Sequence, residues 1–283
     1  MRLAGLVSEG SGTHNEDAAG FIERDGEVAA AWVLDGVTGI NGQTYLPAAS
    51  DAAWLVERTE HHLRQLAATD TPLPALLENL VAGLMSDWQA ATRSISLPDG
   101  YDMPATCLLL AKRCSDGWKV LRLGDSLLLV DDGEPRRING PETELVHLEA
   151  TLRDRAQRLR IEGPVGFAKL LAEFQPQLLQ SRRRRNTPGN HSILVPDASA
   201  LTQPEFVTLG NPASILLCSD GFYRAVDTYG LVDDAELLAS CMRINGVQQM
   251  LADIRSVEAL DKDCQRHPRF KPADDASAIC LVA

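Results

Sequence analysis

The residues of this chain that could do chemistry are carboxylates placed where apolar runs end. Trp32-Val33-Leu34-Asp35-Gly36-Val37-Thr38-Gly39 reads as a buried strand that stops on an acid and then turns through glycine. Burying a carboxylate without a partner costs several kcal/mol, so Asp35 asks for a counter-ion. The sequence supplies more acid instead. Asn15-Glu16-Asp17 lies near the N-terminus, Gly124-Asp125-Ser126 in mid-chain, Ser219-Asp220-Gly221 later and Asp274-Asp275 close to the end. At Asp35, Asp125 and Asp220 an apolar run ends in Asp next to Gly. If these ends converge, the cluster repels itself unless hard divalent cations occupy it, because oxygen ligands suit such ions.

The elements that must position these acids follow from periodicity. Leu3 to Ser8, Ala18 to Glu23 and Val28 to Leu34 read as strands, with an Asp-Gly hairpin turn at Arg24-Asp25-Gly26-Glu27. Two helices are expected next. Thr44 to Ala68 is amphipathic, and Leu73, Leu76, Leu77, Leu80, Val81, Leu84, Met85 and Trp88 form one buried helical face. Strands return at Ala105 to Arg113, Trp118 to Leu123 and Leu127 to Val130, each step spaced like a hairpin. An irregular excursion from about residue 142 to residue 208 contains two helical stretches and the run Arg182-Arg183-Arg184-Arg185. Long excursions of this kind often cover a site. Strands at Phe206 to Leu209 and Ser214 to Cys218, helices at Ala235 to Met242 and Gly246 to Leu260, and a last strand at Ala278 to Val282 complete the chain. Hairpins with little βαβ alternation argue for antiparallel sheets flanked by helices.

Composition sets the bounds. With 283 residues, 45% of them hydrophobic, and no linker, one domain is expected. Acidic residues outnumber basic ones by 39 to 27, a net charge of −12, which is the wrong sign for a dedicated nucleic-acid binder. No apolar run reaches the roughly 18 residues of a membrane span and no secretory segment opens the chain, so a cytoplasmic protein with no membrane partner is expected. Cys107, Cys114, Cys218, Cys241, Cys264 and Cys280 include no C-x-x-C pair and read as reduced thiols, most of them in the core. No P-loop, Gly-x-Ser-x-Gly elbow or Cys-His pattern is present.

Taken together, Asn15-Glu16-Asp17, Asp35-Gly36-x-x-Gly39, Ala105-Thr106, Gly124-Asp125-Ser126, Ser219-Asp220-Gly221 and Asp274-Asp275-x-Ser277 resemble, in order and rough spacing, the motifs of the PP2C-type (PPM) metal-dependent protein phosphatases. Any one motif is commonplace, whereas the ordered set is specific. The resemblance runs from residue 5 to residue 283 and implies an α+β fold, a four-layer αββα sandwich with two central antiparallel sheets. It also implies hydrolysis of phosphoserine and phosphothreonine at a pair of Mg²⁺ or Mn²⁺ ions, which generate a nucleophile and neutralise phosphoryl oxygens.

Position by position, the resemblance implies that Asp35 bridges the ions, that Glu16 and the Gly36 carbonyl complete one of them, and that Asp220 and Asp274 hold the other. Asp17 would orient a water, and Asp125 with Asp220 would hold a third, weaker ion. Asp275 stands where the family usually has Asn. Three departures bear on mechanism. The Arg that many members carry four residues before the Glu, to grip phosphate, is Gly12 here, leaving His14 and Arg224 as the nearest substrate-binding candidates. Arg224 itself replaces an Asp found in many relatives. Val37 replaces the His of the eukaryotic enzymes. Two other functions stay open at this point: a regulatory pseudo-phosphatase that binds phosphorylated partners with little turnover, and a metal centre directed at a small phosphorylated metabolite.

Overall fold

The computed structural model describes residues 1–141, 144–161 and 165–283. The strands are β1 (Arg2–Glu9), β2 (Asp17–Arg24), β3 (Glu27–Gly36), β4 (Thr106–Cys114), β5 (Gly117–Leu123), β6 (Leu127–Asp131), β7 (Pro135–Ile138), β8 (Glu205–Gly210), β9 (Ser214–Cys218) and β10 (Ala276–Val282). The helices are α1 (Asp51–Leu66), α2 (Leu73–Thr92), α3 (Glu144–Ile161), α4 (Phe167–Arg184), α5 (Asp220–Asp227), α6 (Asp234–Cys241) and α7 (Gly246–Leu260).

The strands form two antiparallel sheets, ordered β1-β10-β9-β6-β7 and β2-β3-β4-β5-β8. Their residues alternate in fate, as the two-residue period of a strand requires. Ala31 and Val33 of β3 join Leu109, Val120, Leu128, Ile215, Leu217 and Ile279 in a core between the sheets. Ala30, Trp32 and Leu34 face the other way, onto α1 and α2. Leu129, Leu216, Ala278 and Cys280 likewise face α5, α6 and α7. Strands buried on both faces explain the unbroken apolar runs of the sequence. The result is the four-layer αββα sandwich that the resemblance implies.

Turn chemistry accounts for the β2–β3 hairpin, where Asp25 and Gly26 both adopt positive φ, 55° and 79°. Other expectations need correction. Gly124-Asp125-Ser126 is not a hairpin turn: β5 and β6 belong to different sheets, and the segment carries the chain from one to the other. Residues 44–50 are not helical. Ser50 caps α1 by accepting from the Ala53 N–H at 3.0 Å, and Asp51 holds the preceding loop through the Tyr45 and Leu46 N–H groups at 2.8 and 2.9 Å. Two elements were not anticipated. The edge strand β7 is short and charged, as exposed edges tend to be, and α5 starts directly at Asp220.

In the long excursion, α3 and α4 pack on each other through Leu152, Ala156, Leu170 and Phe174, with Phe270 against them. The arginine run is the last turn of α4 and its cap rather than a uniformly solvated loop edge. Arg182 binds Asp102 and donates to the Thr38 carbonyl at 2.7 Å, and Arg185 donates to the Met103 carbonyl at 3.1 Å. Arg183 and Arg184 are exposed.

Candidate active site

Both sheets deliver acids to one end of the sandwich. Asp17 opens β2 and is the register partner of Asp35 near the end of β3. Asp35, in phase with Ala31 and Val33, faces the gap between the sheets. Gly36 must be glycine for steric reasons: its N–H donates to the Glu16 carbonyl at 2.9 Å, and a Cβ there would fall 2.3 Å from that oxygen. Thr106 on β4 donates to the Asp35 carbonyl at 3.0 Å and fixes the strand end from the other side. Asp125 arrives on the crossover between the sheets. Asp220 is the first residue of α5, directly after β9, and Asp274 lies two residues before β10. The acids that the sequence scatters over 260 positions thus share one crevice.

Their mutual field is visible in their proton affinities. Desolvation, then Asp17, Asp220, Asp125 and Asp274, push the Asp35 carboxyl well above the usual carboxylate range. Burial, with Asp220, Asp274 and Asp275, does the same to Asp17. The Oδ2 atom of Asp17 is buried and has no hydrogen-bond partner among the described residues. Asp220 is pushed up to about 6 by desolvation, Asp274 and Asp125. Such a set is unstable as bare anions.

Glu16 is buried and gripped by hydroxyls: Oε2 accepts from Thr38 Oγ1 at 2.8 Å and Oε1 from Ser50 Oγ at 2.5 Å. The exposed His14 places Nε2 3.6 Å from Glu16 Oε1, so it stands at the rim of the cluster. Asp275 has a structural task. Its Oδ1 accepts from the Ser11 N–H at 2.7 Å and its Oδ2 from the Glu16 N–H at 2.7 Å, pinning the β1–β2 loop.

Arg224 is buried and reaches Asp274, with Nη2 2.6 Å from Oδ2. Lys271 Nζ lies 2.8 Å from Oδ1 of the same carboxylate and donates to Thr38 Oγ1 at 3.1 Å. Burial alone would raise Asp274, but Lys271 and Arg224 outweigh it and its pKa is lowered. Asp274 is therefore an acid whose charge the protein itself balances, through direct contacts with two cations.

Sequence reasoning missed three of these participants. Lys271 sits three residues before Asp274, a spacing that allows an ion pair, but nothing marks the segment as a turn that folds back. Thr38 lies within the glycine-rich turn after Asp35 and joins Glu16, Lys271 and, through its carbonyl, Arg182. Cys107 was expected to be a bland core thiol. It is buried, yet its Sγ donates to Asp125 Oδ1 at 3.1 Å, and ligand atoms of Asp35, Cys107 and Asp125 lie within 4.8 Å of one another. The signal was positional, since Cys107 is the register partner of Asp35.

The donor set fits a hard divalent cation at Asp35 and Asp125, whose ligand atoms lie within 4.8 Å of one another, with Asp220 near enough to raise the Asp35 proton affinity. These are oxygen ligands in excess of their protein counter-charges, with the unpartnered Asp17 Oδ2 beside them. A cavity of about 950 Å³ at the opposite end of the β2–β3 hairpin is also lined by acids, but there Asp70, Glu27 and Asp116 are paired with Arg24, Arg113 and Lys119.

The sandwich and its acidic crevice define a metal-dependent phosphatase class. The family model for protein phosphatase 2C matches residues 4–255, and the chain belongs to that family of Mg²⁺/Mn²⁺-dependent serine/threonine protein phosphatases. Solved structures with the same fold include the serine/threonine phosphatase PstP/Ppp of Mycobacterium tuberculosis, at 15% identity and a TM-score of 0.56, covering 98% of this chain and 96% of that one. PppA, described as a key regulatory component of the type VI secretion system in Pseudomonas aeruginosa, aligns at 18% identity and a TM-score of 0.57, covering 98% and 95%. A PstP catalytic domain in complex with two manganese ions aligns at 17% identity and a TM-score of 0.54, covering 98% and 95%. No curated protein matches the sequence significantly. Among the described residues no helix is long and apolar enough to cross a membrane.

Proposed function

We propose that this protein removes phosphate from phosphoserine and phosphothreonine in proteins, using Mg²⁺ or Mn²⁺ held by Glu16, Asp35, the Gly36 carbonyl, Asp220 and Asp125. The observation that carries this reading is the convergence of Asp17, Asp35, Asp125 and Asp220 in one crevice, where burial and neighbouring carboxylates raise the proton affinities of Asp17, Asp35 and Asp220. When bound, a divalent ion supplies a hydroxide nucleophile at neutral pH and neutralises phosphoryl oxygens. The chain's own residues do the rest. Thr38 and Ser50 hold the Glu16 carboxylate in a single orientation. Asp17, whose Oδ2 is free, accepts a proton from a water beside Asp35 and orients it. Lys271 offers positive charge and His14 a ring nitrogen toward the phosphate at the rim, where Gly12 leaves no side chain.

A cytoplasmic setting belongs to this proposal, supported by six free cysteines of which five are buried. The excursion at about 142–208, within a single domain, is the segment we assign to substrate choice. Mn²⁺ with p-nitrophenyl phosphate and a phosphothreonine peptide tests the reading. Turnover that requires Mn²⁺ and collapses in Asp35→Asn and Asp220→Asn supports it; turnover indifferent to metal or to both substitutions rejects it.

One observation favours a second reading. With Gly12 in place of the phosphate-gripping Arg, and Arg224 on Asp274, the crevice suits a regulatory module that captures phosphorylated partners with little turnover. Calorimetry with a phosphopeptide separates the two: tight capture without phosphate release favours binding alone.

A further inference from the structure

We infer that Lys271 and Arg224 stand in for one of the two divalent ions of this centre, so that Asp274 serves as an anchor for protein-borne cations and only one ion is tightly held. The inference rests on the metal-site reading above and goes beyond it. A carboxylate ligand must offer a lone pair to the ion, and both oxygens of Asp274 are already committed. Oδ2 accepts from Arg224 Nη2 at 2.6 Å, and Oδ1 accepts from Lys271 Nζ at 2.8 Å and from the Asp275 N–H at 3.2 Å. An ion bound there would sit against two fixed positive charges. Asp35 and Asp125 bring ligand atoms within 4.8 Å of one another, and the causes that shift Asp35 are burial and other carboxylates, with no Lys or Arg among them.

Neither cation is free to step aside. Arg224 is one turn after Asp220 on α5 and is only 8% exposed. Its Nη1 faces Glu258 Oε1 at 3.7 Å. Glu258 is itself buried and held by Tyr229 Oη at 3.0 Å and Arg255 Nη1 at 2.7 Å, and the same Arg255 atom donates to the Asp274 carbonyl at 2.7 Å. Lys271 is seated from the other side. Phe270 packs edge-to-face on Phe167 and tilted against Phe174, with centroids 5.4 and 5.6 Å away, and Arg160 binds the carbonyls of Arg269 and Phe270. The ammonium then spans from Asp274 to Thr38, whose hydroxyl donates to Glu16. A cation held between the Glu16 and Asp274 sides of the crevice can neutralise phosphoryl oxygen there without dissociating.

Native mass spectrometry counts Mn²⁺ on the folded protein, and electron paramagnetic resonance tells isolated Mn²⁺ from an exchange-coupled pair. The wild type is expected to carry one tight Mn²⁺ with the spectrum of an isolated ion. Asp274→Asn should leave that affinity within about threefold, well under the tenfold that 1.4 kcal/mol represents. Arg224→Asp combined with Lys271→Met should admit a second ion and give a coupled spectrum. Lys271→Met alone, which leaves Arg224 and Glu258 in place, should weaken the charge barrier in the same direction, and it covers failure of the double variant to fold. Two tight ions on the wild type, one of them lost in Asp274→Asn, would overturn the inference. Mn²⁺ binding unchanged in Asp35→Asn would instead defeat the metal-site reading, and the inference with it.

Discussion

Asp17 and Asp35 are directly opposed across the β2–β3 ladder, two carboxylates at one register position of a sheet whose other positions there are apolar. Like charges placed opposite one another destabilise a ladder, and after burial Asp17 is the largest cause of the raised proton affinity of Asp35. The fold tolerates the pair because Gly36, Thr106 and the Glu16 backbone fix the strand ends around it.

That repulsion should be measurable as stability. Mn²⁺ at about a hundredfold excess over its Kd should stabilise the native state by about 2.7 kcal/mol. At about 2–4 °C per kcal/mol for a chain of this size, Tm should rise by roughly 5–10 °C. Asp35→Asn should raise the Tm of the metal-free protein by removing a repelling charge and should erase the response to Mn²⁺. Differential scanning calorimetry checks both, and a metal-free Asp35→Asn melting below wild type would count against a repelling cluster.

Restoring the absent phosphate grip should improve substrate capture. A Cβ at Gly12 meets no atom within 4 Å, so Gly12→Arg is accommodated without strain. A guanidinium there should lower KM for a phosphothreonine peptide by about tenfold, the effect of one charge-assisted contact of about 1.4 kcal/mol. Steady-state kinetics with KM unmoved would show that Lys271 or His14 already fills that role.

The loop that carries Lys271 and Asp274 depends on a buried ion pair. Arg269 donates to Asp261 Oδ2 at 2.6 Å and to the Asp261 carbonyl at 2.7 Å. Burial opposes the Asp261 charge, but the Arg266, His267 and Gln265 N–H groups and Arg269 outweigh it and hold its pKa down at about 2. A lowered carboxylate stabilises the fold above its unfolded value and loses that contribution as pH falls through the folded one. Asp261 should therefore contribute about 2 kcal/mol at pH 7, fading between about pH 4 and pH 2. Urea melts of wild type and Asp261→Asn should differ at pH 7 and draw together near pH 2; a gap independent of pH would mean that packing, not charge, sets it.

Arg182 couples the helical excursion to the turn after Asp35 through Asp102 and the Thr38 carbonyl. Among the described residues, Arg182→Ala leaves Asp102 an ion pair with Arg185, at 3.4 Å. The loss should cost about 1–3 kcal/mol, as removal of one partner of a half-buried charged bond does. It should also lower kcat more than it raises KM, because Thr38 positions Glu16 and Lys271. A stability loss with kinetics intact would confine Arg182 to the scaffold.

Much of this was legible because buried strands announce themselves as apolar runs, and an acid at the tip of such a run is costly unless it has a task. Asp35, Asp125 and Asp220 could be picked out on that ground alone, whereas Asp17 follows no apolar run and stood out only through the family resemblance. What escaped were relations fixed only by tertiary contact. Lys271 reaches Asp274 because Phe270 is anchored by α3 and α4, and no local pattern encodes that. Cys107 reads as core in any apolar window, and only its register with Asp35 brings it to the crevice. The crossover at Gly124-Asp125-Ser126 has the length and composition of a hairpin turn, so spacing alone could not separate the two sheets.

The most direct test is phosphate release from a phosphothreonine peptide with Mn²⁺ present or chelated, in wild type and Asp35→Asn. The wild type should turn over with Mn²⁺ only, and kcat/KM should fall by at least about 10² in the variant, in line with losing a principal stabiliser of transition-state charge. Equal turnover after chelation, or an Asp35→Asn protein as active as wild type, would contradict metal-dependent catalysis at Asp35.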